Sequence, residues 1–138
     1  MSVVLLDTTI ASFLFPKKRA DAVRAKYEPH MRGQTLAISF HTVAELWDWA
    51  ESRHWGDKRR SELDAFIRRF LVIPYDLELA KVWARVMQAG RTEGRRFEVG
   101  DCWIVATAVH RRIPLLTHDS DMVGRSIPGL HVVSYVAP

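Results

Sequence analysis

Cysteine is nearly absent from this chain: Cys102 is the single thiol among 138 residues, so no internal disulfide can staple the fold. A domain of this length can bury enough apolar surface to do without one. One unpaired thiol also suits a reducing compartment, and a cytoplasmic location is the expectation. No run approaches the roughly 20 apolar residues of a membrane-spanning helix. The opening MSVVLLDTT has a short apolar run, no basic segment before it and a charge already at Asp7, so it reads as neither a signal peptide nor an anchor. Cysteine and histidine never fall at the close spacings of a zinc site, and the six histidines are scattered. Repeats, low-complexity tracts and linkers are also missing, which leaves one domain over residues 1–138.

What the chain does carry is a positive surplus. The net charge is +4, with basic residues gathered at Lys17–Arg19, Lys58–Arg60, Arg91 to Arg96 and Arg111–Arg112. A basic balance favours polyanion partners, because neutralising phosphates releases counterions. Any one cluster is equally a solvated helix face, so the surplus gains meaning only beside a site.

Apolar patterning divides the chain into alternating elements. Ser2 to Leu6 predicts a buried strand, Thr8 to Leu14 a short helix stopped by Pro16, and Arg19 to His30 an amphipathic helix. Thr35 to Ser39 predicts a second strand. Thr42 to His54 places Val43, Leu46, Trp47 and Ala50 at helical spacing, and Asp57 to Phe70 does the same with Leu63, Phe66, Ile67 and Phe70. Leu71 to Pro74 is a third strand, and Asp76 caps a helix to about Gly90. Asp101 to His110 is almost wholly apolar after its first residue. Ile113 to Thr117 and His131 to Tyr135 complete the strands. The order β-α-α-β-α-α-β-α-α-β-α-β predicts an α/β three-layer sandwich, a mostly parallel sheet flanked by helices.

Four acids stand just past strands or in the first turn of helices: Asp7, Glu45, Asp101 and Asp119. In an open parallel sheet the ligand site lies beyond the carboxyl ends of the strands, so all four are expected at one edge. Each alone has a capping explanation. Asp7 and Asp119 can be N-caps, Thr42 to Glu45 matches a capping box, and Asp101 suits the positive end of a helix. Together, however, converging carboxylates repel and take up protons unless a cation compensates. Mg²⁺, with Mn²⁺ as substitute, suits an all-oxygen cluster, and a divalent ion beside a basic surface points to a phosphodiester.

These residues carry a resemblance. LLDTTI, the Glu of ISFHTVAELW, FEVGDCWIVATA and LLTHDSD, which together run nearly end to end, resemble the PIN-domain ribonucleases of the VapC toxin type, one half of a toxin–antitoxin pair. GDCWIVATA followed by LLTHDSD is the most specific portion. The resemblance implies a PIN-like sandwich, with Asp7, Glu45, Asp101 and Asp119 as metal-binding and catalytic acids and Asp121 as a secondary candidate. Thr8 or Thr9, and Thr117, would be hydroxyls bonded to the acids or to metal-bound water. It further implies an Mg²⁺-dependent endoribonuclease working through metal-activated water, a VapB-type antitoxin partner, a homodimer and a toxin–antitoxin hetero-oligomer. Thr9, Glu98 and Met122 depart from the family pattern without removing an acid.

Three other residues are candidates for contact. Arg95 and Arg96 precede the Asp101 helix, where they either lead an RNA backbone toward the acids or belong to a solvated loop. Trp49, four residues after Glu45, is placed to stack a base, to line an antitoxin groove between its helix and the next, or simply to pack. Trp47, Trp83 and Trp103 fall in core-like patterns. Two rival enzyme classes fail on residues. A haloacid-dehalogenase-type phosphatase needs a second Asp where Thr9 stands, and a receiver domain needs adjacent acids near the first strand. A non-catalytic PIN-like RNA-binding or scaffold domain is the remaining alternative, and metal titration separates it from a nuclease.

Overall fold

Strand β1 (Val3–Leu6) forms the middle of a five-stranded sheet because its four residues are apolar on both faces. The computed structural model describes residues 2–15 and 21–137. Lys17, Lys18, Arg19 and the start expected for the second helix lie outside them.

The remaining elements follow in the predicted alternation: α1 (Thr8–Phe13), α2 (Asp21–Met31), β2 (Thr35–Ser39), α3 (Phe40–Ser52), α4 (Asp57–Ile67), β3 (Leu71–Ile73), α5 (Leu77–Thr92), α6 (Val99–Arg111), β4 (Leu115–Leu116), a 3₁₀ turn (Ser120–Met122) and β5 (Val132–Val133). The sheet order is β3-β2-β1-β4-β5, and every pairing is parallel. Leu5 stands opposite Ala37 on one side and Leu115 on the other. After β3 the chain crosses back to the far side of β1. The switch point between β1 and β4 therefore opens a crevice at their carboxyl ends, the place where such sheets bind ligands.

Alternation along each strand builds two cores. Leu5, Ala37, Ile73 and Leu115 face α5 and α6, packing on Leu79, Val86, Met87, Ile104 and Val105. Val4, Leu6, Ile38 and Leu116 face the other way, onto Ile10, Tyr27, Leu46, Leu63 and Phe66. Helices cover both faces, so the strands read as continuous apolar runs. Trp83 and Trp103 lie 5.5 Å apart against the first core, and Trp47 packs on the second.

Several boundaries differ from the sequence reading. Strands β4 and β5 are shorter than expected; Pro114 supplies no amide to extend the ladder, and past Leu116 the Thr117 amide still bonds the Val133 carbonyl at 3.1 Å while its hydroxyl serves the site. Helix α3 starts at Phe40, because the Ser39 hydroxyl accepts from the amides of His41 (3.1 Å) and Thr42 (3.2 Å). Helix α6 starts at Val99 and ends where Arg112 adopts a left-handed conformation. Among the described residues, no helix is long and apolar enough to cross a membrane.

Tyr27 shows how a core residue can carry polar work. Its ring is fully buried, yet its hydroxyl donates to the Thr117 carbonyl (3.0 Å), meets His118 Nδ1 at 2.7 Å and accepts from the Tyr135 amide (2.9 Å). It thereby ties α2 to the chain leaving β4 and β5. Tyr27→Phe keeps the ring and strands these partners, so it is expected to destabilise the fold by about 1–3 kcal/mol. Urea unfolding should show a lower midpoint at unchanged slope; an unaltered midpoint would mean the hydroxyl contributes nothing.

Candidate active site

Asp7 is the first residue after β1 and the N-cap of α1. One carboxylate oxygen accepts from the Ile10 amide at 2.7 Å, and the other accepts a short bond from the Thr117 hydroxyl. The capping reading and the site reading thus hold together. An ionised carboxylate has about four acceptor positions, so these bonds leave capacity for a cation. Burial, partly offset by the donors from Ile10, Thr117 and His118 and reinforced by the charge of Asp119, raises the Asp7 pKa from 3.8 to about 6.

Thr117 joins two of the acids, since the oxygen that donates to Asp7 also accepts from the Asp119 amide at 3.1 Å. Asp119 in turn caps the 3₁₀ turn, accepting from the Asp121 amide at 2.9 Å. The carboxylates of Asp101, Asp119 and Asp121 each bring an oxygen within 4.8 Å of the others. Asp121, a secondary candidate in the sequence, is therefore in the tightest group.

Asp101 lies in the first turn of α6, two residues inside its start rather than opening it. The positive helix end favours its charge, but burial and the charges of Asp119, Glu98, Glu45 and Asp121 outweigh that, raising its pKa from 3.8 to about 7. Acids crowded in this way are under an electrostatic load that a divalent cation would relieve.

Glu45 makes no capping box. With Ser39 as the N-cap, Glu45 lies in the second turn of α3 and points across to α1, accepting from the Thr8 hydroxyl at 2.7 Å. His41 Nε2 stands 3.1 Å from the same oxygen. Burial pushes the Glu45 pKa up, but the bonds from His41 and Thr8 and the charge of His41 prevail and hold it below its ordinary value. The His41 pKa is raised in return, mainly by its bond to Glu45.

Together Asp7, Thr8, Thr9, Glu45, Glu98, Asp101, Ile104, Asp119 and Met122 line a cavity of about 200 Å³ at the carboxyl edge of the sheet. Of the hydroxyls, Thr8 and Thr117 bond acids. The Thr9 carbonyl, by contrast, is engaged with Ser12 (2.7 Å), and Thr9 reaches the cavity as an exposed residue. Its donors are all hard oxygens, as Mg²⁺ or Mn²⁺ prefers, and the residues fit such an ion.

His41 and Glu98 were missed as site residues in the sequence. Their signals were the i, i+4 spacing of His41 to Glu45 and the three-residue spacing of Glu98 to Asp101. Gly100 belongs with them, because a Cβ there would fall 2.4 Å from His41 Nε2. Glycine lets the head of α6 close on α3 and brings Asp101 up to Glu45.

The contact candidates separate. Trp49 lies away from the acid cavity and packs with Ser12, Phe15, Leu46, Trp55 and Leu63 in a narrow groove between α3 and α4, with the Arg53 guanidinium 5.1 Å from its ring. Base stacking beside Glu45 is not its position. Arg95 is not a free phosphate contact: its guanidinium donates to the carbonyls of Val123 (2.8 Å), Gly124 (3.2 Å) and Ser120 (3.4 Å). Arg96 is exposed. The basic run at Lys58–Arg60 also has structural duties, with Arg59 stacked over Trp55 at 4.2 Å and Arg60 donating to the carbonyls of Trp55 (2.7 Å) and Ala50 (3.2 Å).

The chain is similar to known proteins over most of its length. The model of the PIN domain matches residues 4–125. The chain is 30% identical over 124 residues to VapC ribonuclease Y4jK of Sinorhizobium fredii, spanning 86% of this chain and 88% of that protein. It is 39% identical over 88 residues to Ribonuclease VapC5 of Mycobacterium tuberculosis, spanning 62% of this chain and 65% of that one. Its fold is similar to that in a DNA-bound VapBC structure from Salmonella typhimurium, with a TM-score of 0.79, 22% identity and coverage of 97% and 98% of the two chains.

Proposed function

The chain belongs to the PIN-domain family, among the VapC ribonucleases, and from that premise we propose that it is a divalent-metal-dependent endoribonuclease, the toxin of a toxin–antitoxin pair. The observation that carries the reading is the group of Asp101, Asp119 and Asp121, with oxygens within 4.8 Å of one another beside buried Asp7. Such a group in a chain of net charge +4 is suited to an ion and a polyanion together.

Asp7, Asp101 and Asp119 would hold Mg²⁺ or Mn²⁺, with Asp121 and Glu45 completing the acid set. When bound, the ion would neutralise charge on the phosphate and acidify a water for in-line attack on phosphorus. The chain's own part is to orient its acids and, at Glu45, to favour the ionised form. Thr117 fixes the rotamer of Asp7 and holds the Asp119 backbone, Thr8 fixes Glu45, and His41 Nε2 faces Glu45 at 3.1 Å. Ile104 and Met122 form the apolar side of the cavity and limit its water.

The proposed macromolecular partners are RNA as substrate and a VapB-type antitoxin, assembled as a homodimer of toxins in a hetero-oligomer. The narrow groove containing Trp49, Phe15 and Trp55 is the proposed antitoxin seat. RNA cleavage followed with Mg²⁺, with Mn²⁺ and with excess EDTA tests the enzymatic reading. Cleavage is expected with either ion and none in EDTA; cleavage that persists in EDTA would exclude the metal, and failure to bind either ion would favour the scaffold.

A further inference from the structure

Asp119 and Asp121 sit on a loop, whereas Asp101 sits on a helix, and the like charges of the three carboxylates push those elements apart. A two-residue strand and a 3₁₀ turn offer little regular hydrogen bonding to oppose that force. Two arginines meet the loop instead, from opposite sides of the same junction.

Arg125, on the loop itself, reaches back to the connector between α5 and α6. Its Nη1 pairs with Glu93 at 3.3 Å and makes a short bond to the Arg95 carbonyl, while its guanidinium carbon lies 3.7 Å from the centre of the Phe97 ring. Its Nε donates to the Asp121 carbonyl at 2.8 Å. The other Glu93 oxygen accepts from the Ser126 amide at 3.1 Å. The Arg125 side chain is only 3% exposed and that of Glu93 15%, so neither is a solvated surface charge. Arg95, on the connector, reaches forward and donates to the carbonyls of Ser120, Val123 and Gly124. The connector is itself seated in the core. Phe97 is buried, and a Cβ at Gly90 would come within 3.0 Å of both the Arg95 carbonyl and the Phe97 ring.

We propose that Arg95, Arg125 and Glu93 form a reciprocal clasp that positions Asp119 and Asp121 against Asp101, so that Arg95 and Arg125 are positioning residues for the metal site. The inference rests on the metal-site reading above. The guanidinium group is suited to this task because its rigid fork places donors on separate nitrogens, here Nη1 toward Val123 and Gly124 and Nη2 toward Ser120, whereas an ammonium presents its donors from one point. Neither arginine lines the acid cavity, so the clasp steadies the loop without occupying it.

The test measures Mn²⁺ affinity by calorimetry for wild type, Arg95→Gln, Arg95→Lys and Arg125→Gln, together with hydrogen exchange of the amides in residues 119–126. The clasp predicts roughly tenfold or greater weakening of Mn²⁺ binding in all three variants, the scale typical of lost outer partners. It also predicts at least about tenfold faster exchange in the loop, with β1 amides unchanged. Arg95→Lys should fail as Arg95→Gln does, because charge without the fork cannot span the carbonyls. Wild-type Mn²⁺ affinity in the Arg95 variants would overturn the clasp and leave the metal reading intact. Failure of the wild type to bind Mn²⁺ would overturn both. Arg95 is exposed, so its variants carry the test even if removing buried Arg125 prevents folding.

Discussion

Asp101→Asn is expected to lower metal-dependent RNA cleavage by more than about 100-fold while leaving the fold intact. Loss of an outer partner of a metal ligand costs about 10–100-fold, and Asp101 belongs to the proposed ligand group itself. Asparagine matches the shape of the carboxylate but removes the charge that a hard cation requires. No cap is lost, because Glu98 is the N-cap of α6 and uses no side-chain bond there. Asp7→Asn should be equally inactive but less well folded, since the amide cannot accept from both Ile10 and Thr117. Single-turnover cleavage with saturating Mg²⁺ measures both, and activity within a few-fold of wild type in Asp101→Asn would sink the proposed chemistry. The pH dependence has a definite sign. Protons compete with the ion at Asp7 and Asp101, whose metal-free pKa values are about 6 and about 7, so apparent Mg²⁺ affinity should rise from pH 6 to pH 8.

The same acids should make the metal-free protein less stable as pH rises. A carboxyl whose folded pKa exceeds its unfolded value contributes stability below the unfolded value, and that contribution is lost as pH climbs through the folded one. For Asp7, 2% exposed and shifted from 3.8 to about 6, the full loss, from well below pH 4 to well above pH 6, is about 3 kcal/mol. Asp101 acts in the same direction up to about pH 7. In EDTA at pH 8, Asp101→Asn should therefore melt above wild type. Saturating Mn²⁺ should reverse the order, because an ion that binds only the folded wild type stabilises it by mass action. Thermal melts at pH 5 and pH 8, with and without Mn²⁺, decide this. An Asp101→Asn variant that melts below wild type in EDTA at pH 8 would show that Asp101 is not under electrostatic load.

Most of the fold was legible because apolar periodicity is local. VVLL, TLAIS and the helical spacing of Leu63, Phe66 and Ile67 state their own elements, and the alternation of strand and helix calls for a parallel sheet. The boundaries that slipped depend on groups distant from the pattern. The Ser39 hydroxyl begins α3 earlier than Thr42 suggested, and Pro114, with no amide to donate, limits β4 at its start. That shift in α3 turned Glu45 from a capping residue into one that reaches Thr8 on α1.

The site divides along the same line. Asp7, Glu45, Asp101 and Asp119 could be proposed from sequence because each stands just past a strand or within the first two turns of a helix, and a parallel order puts those ends on one side. Which acids come closest could not, because that depends on a loop held by side chains from elsewhere. Asp121 joins Asp101 and Asp119 through the 3₁₀ turn, and Arg95, weighed in the sequence as an RNA contact or a solvated loop residue, is bonded to the carbonyls of that loop. Gly100 could be read only once His41 was found lying where its Cβ would be. The sequence by itself determined the strands, the helices and their alternation, and with it the side of a parallel sheet where the carboxylates stand, since hydrophobic period acts over a few residues at a time. Tertiary structure alone decided which oxygens are neighbours and which arginines are bound, because charge repulsion, burial and guanidinium bonding act between residues far apart in the chain.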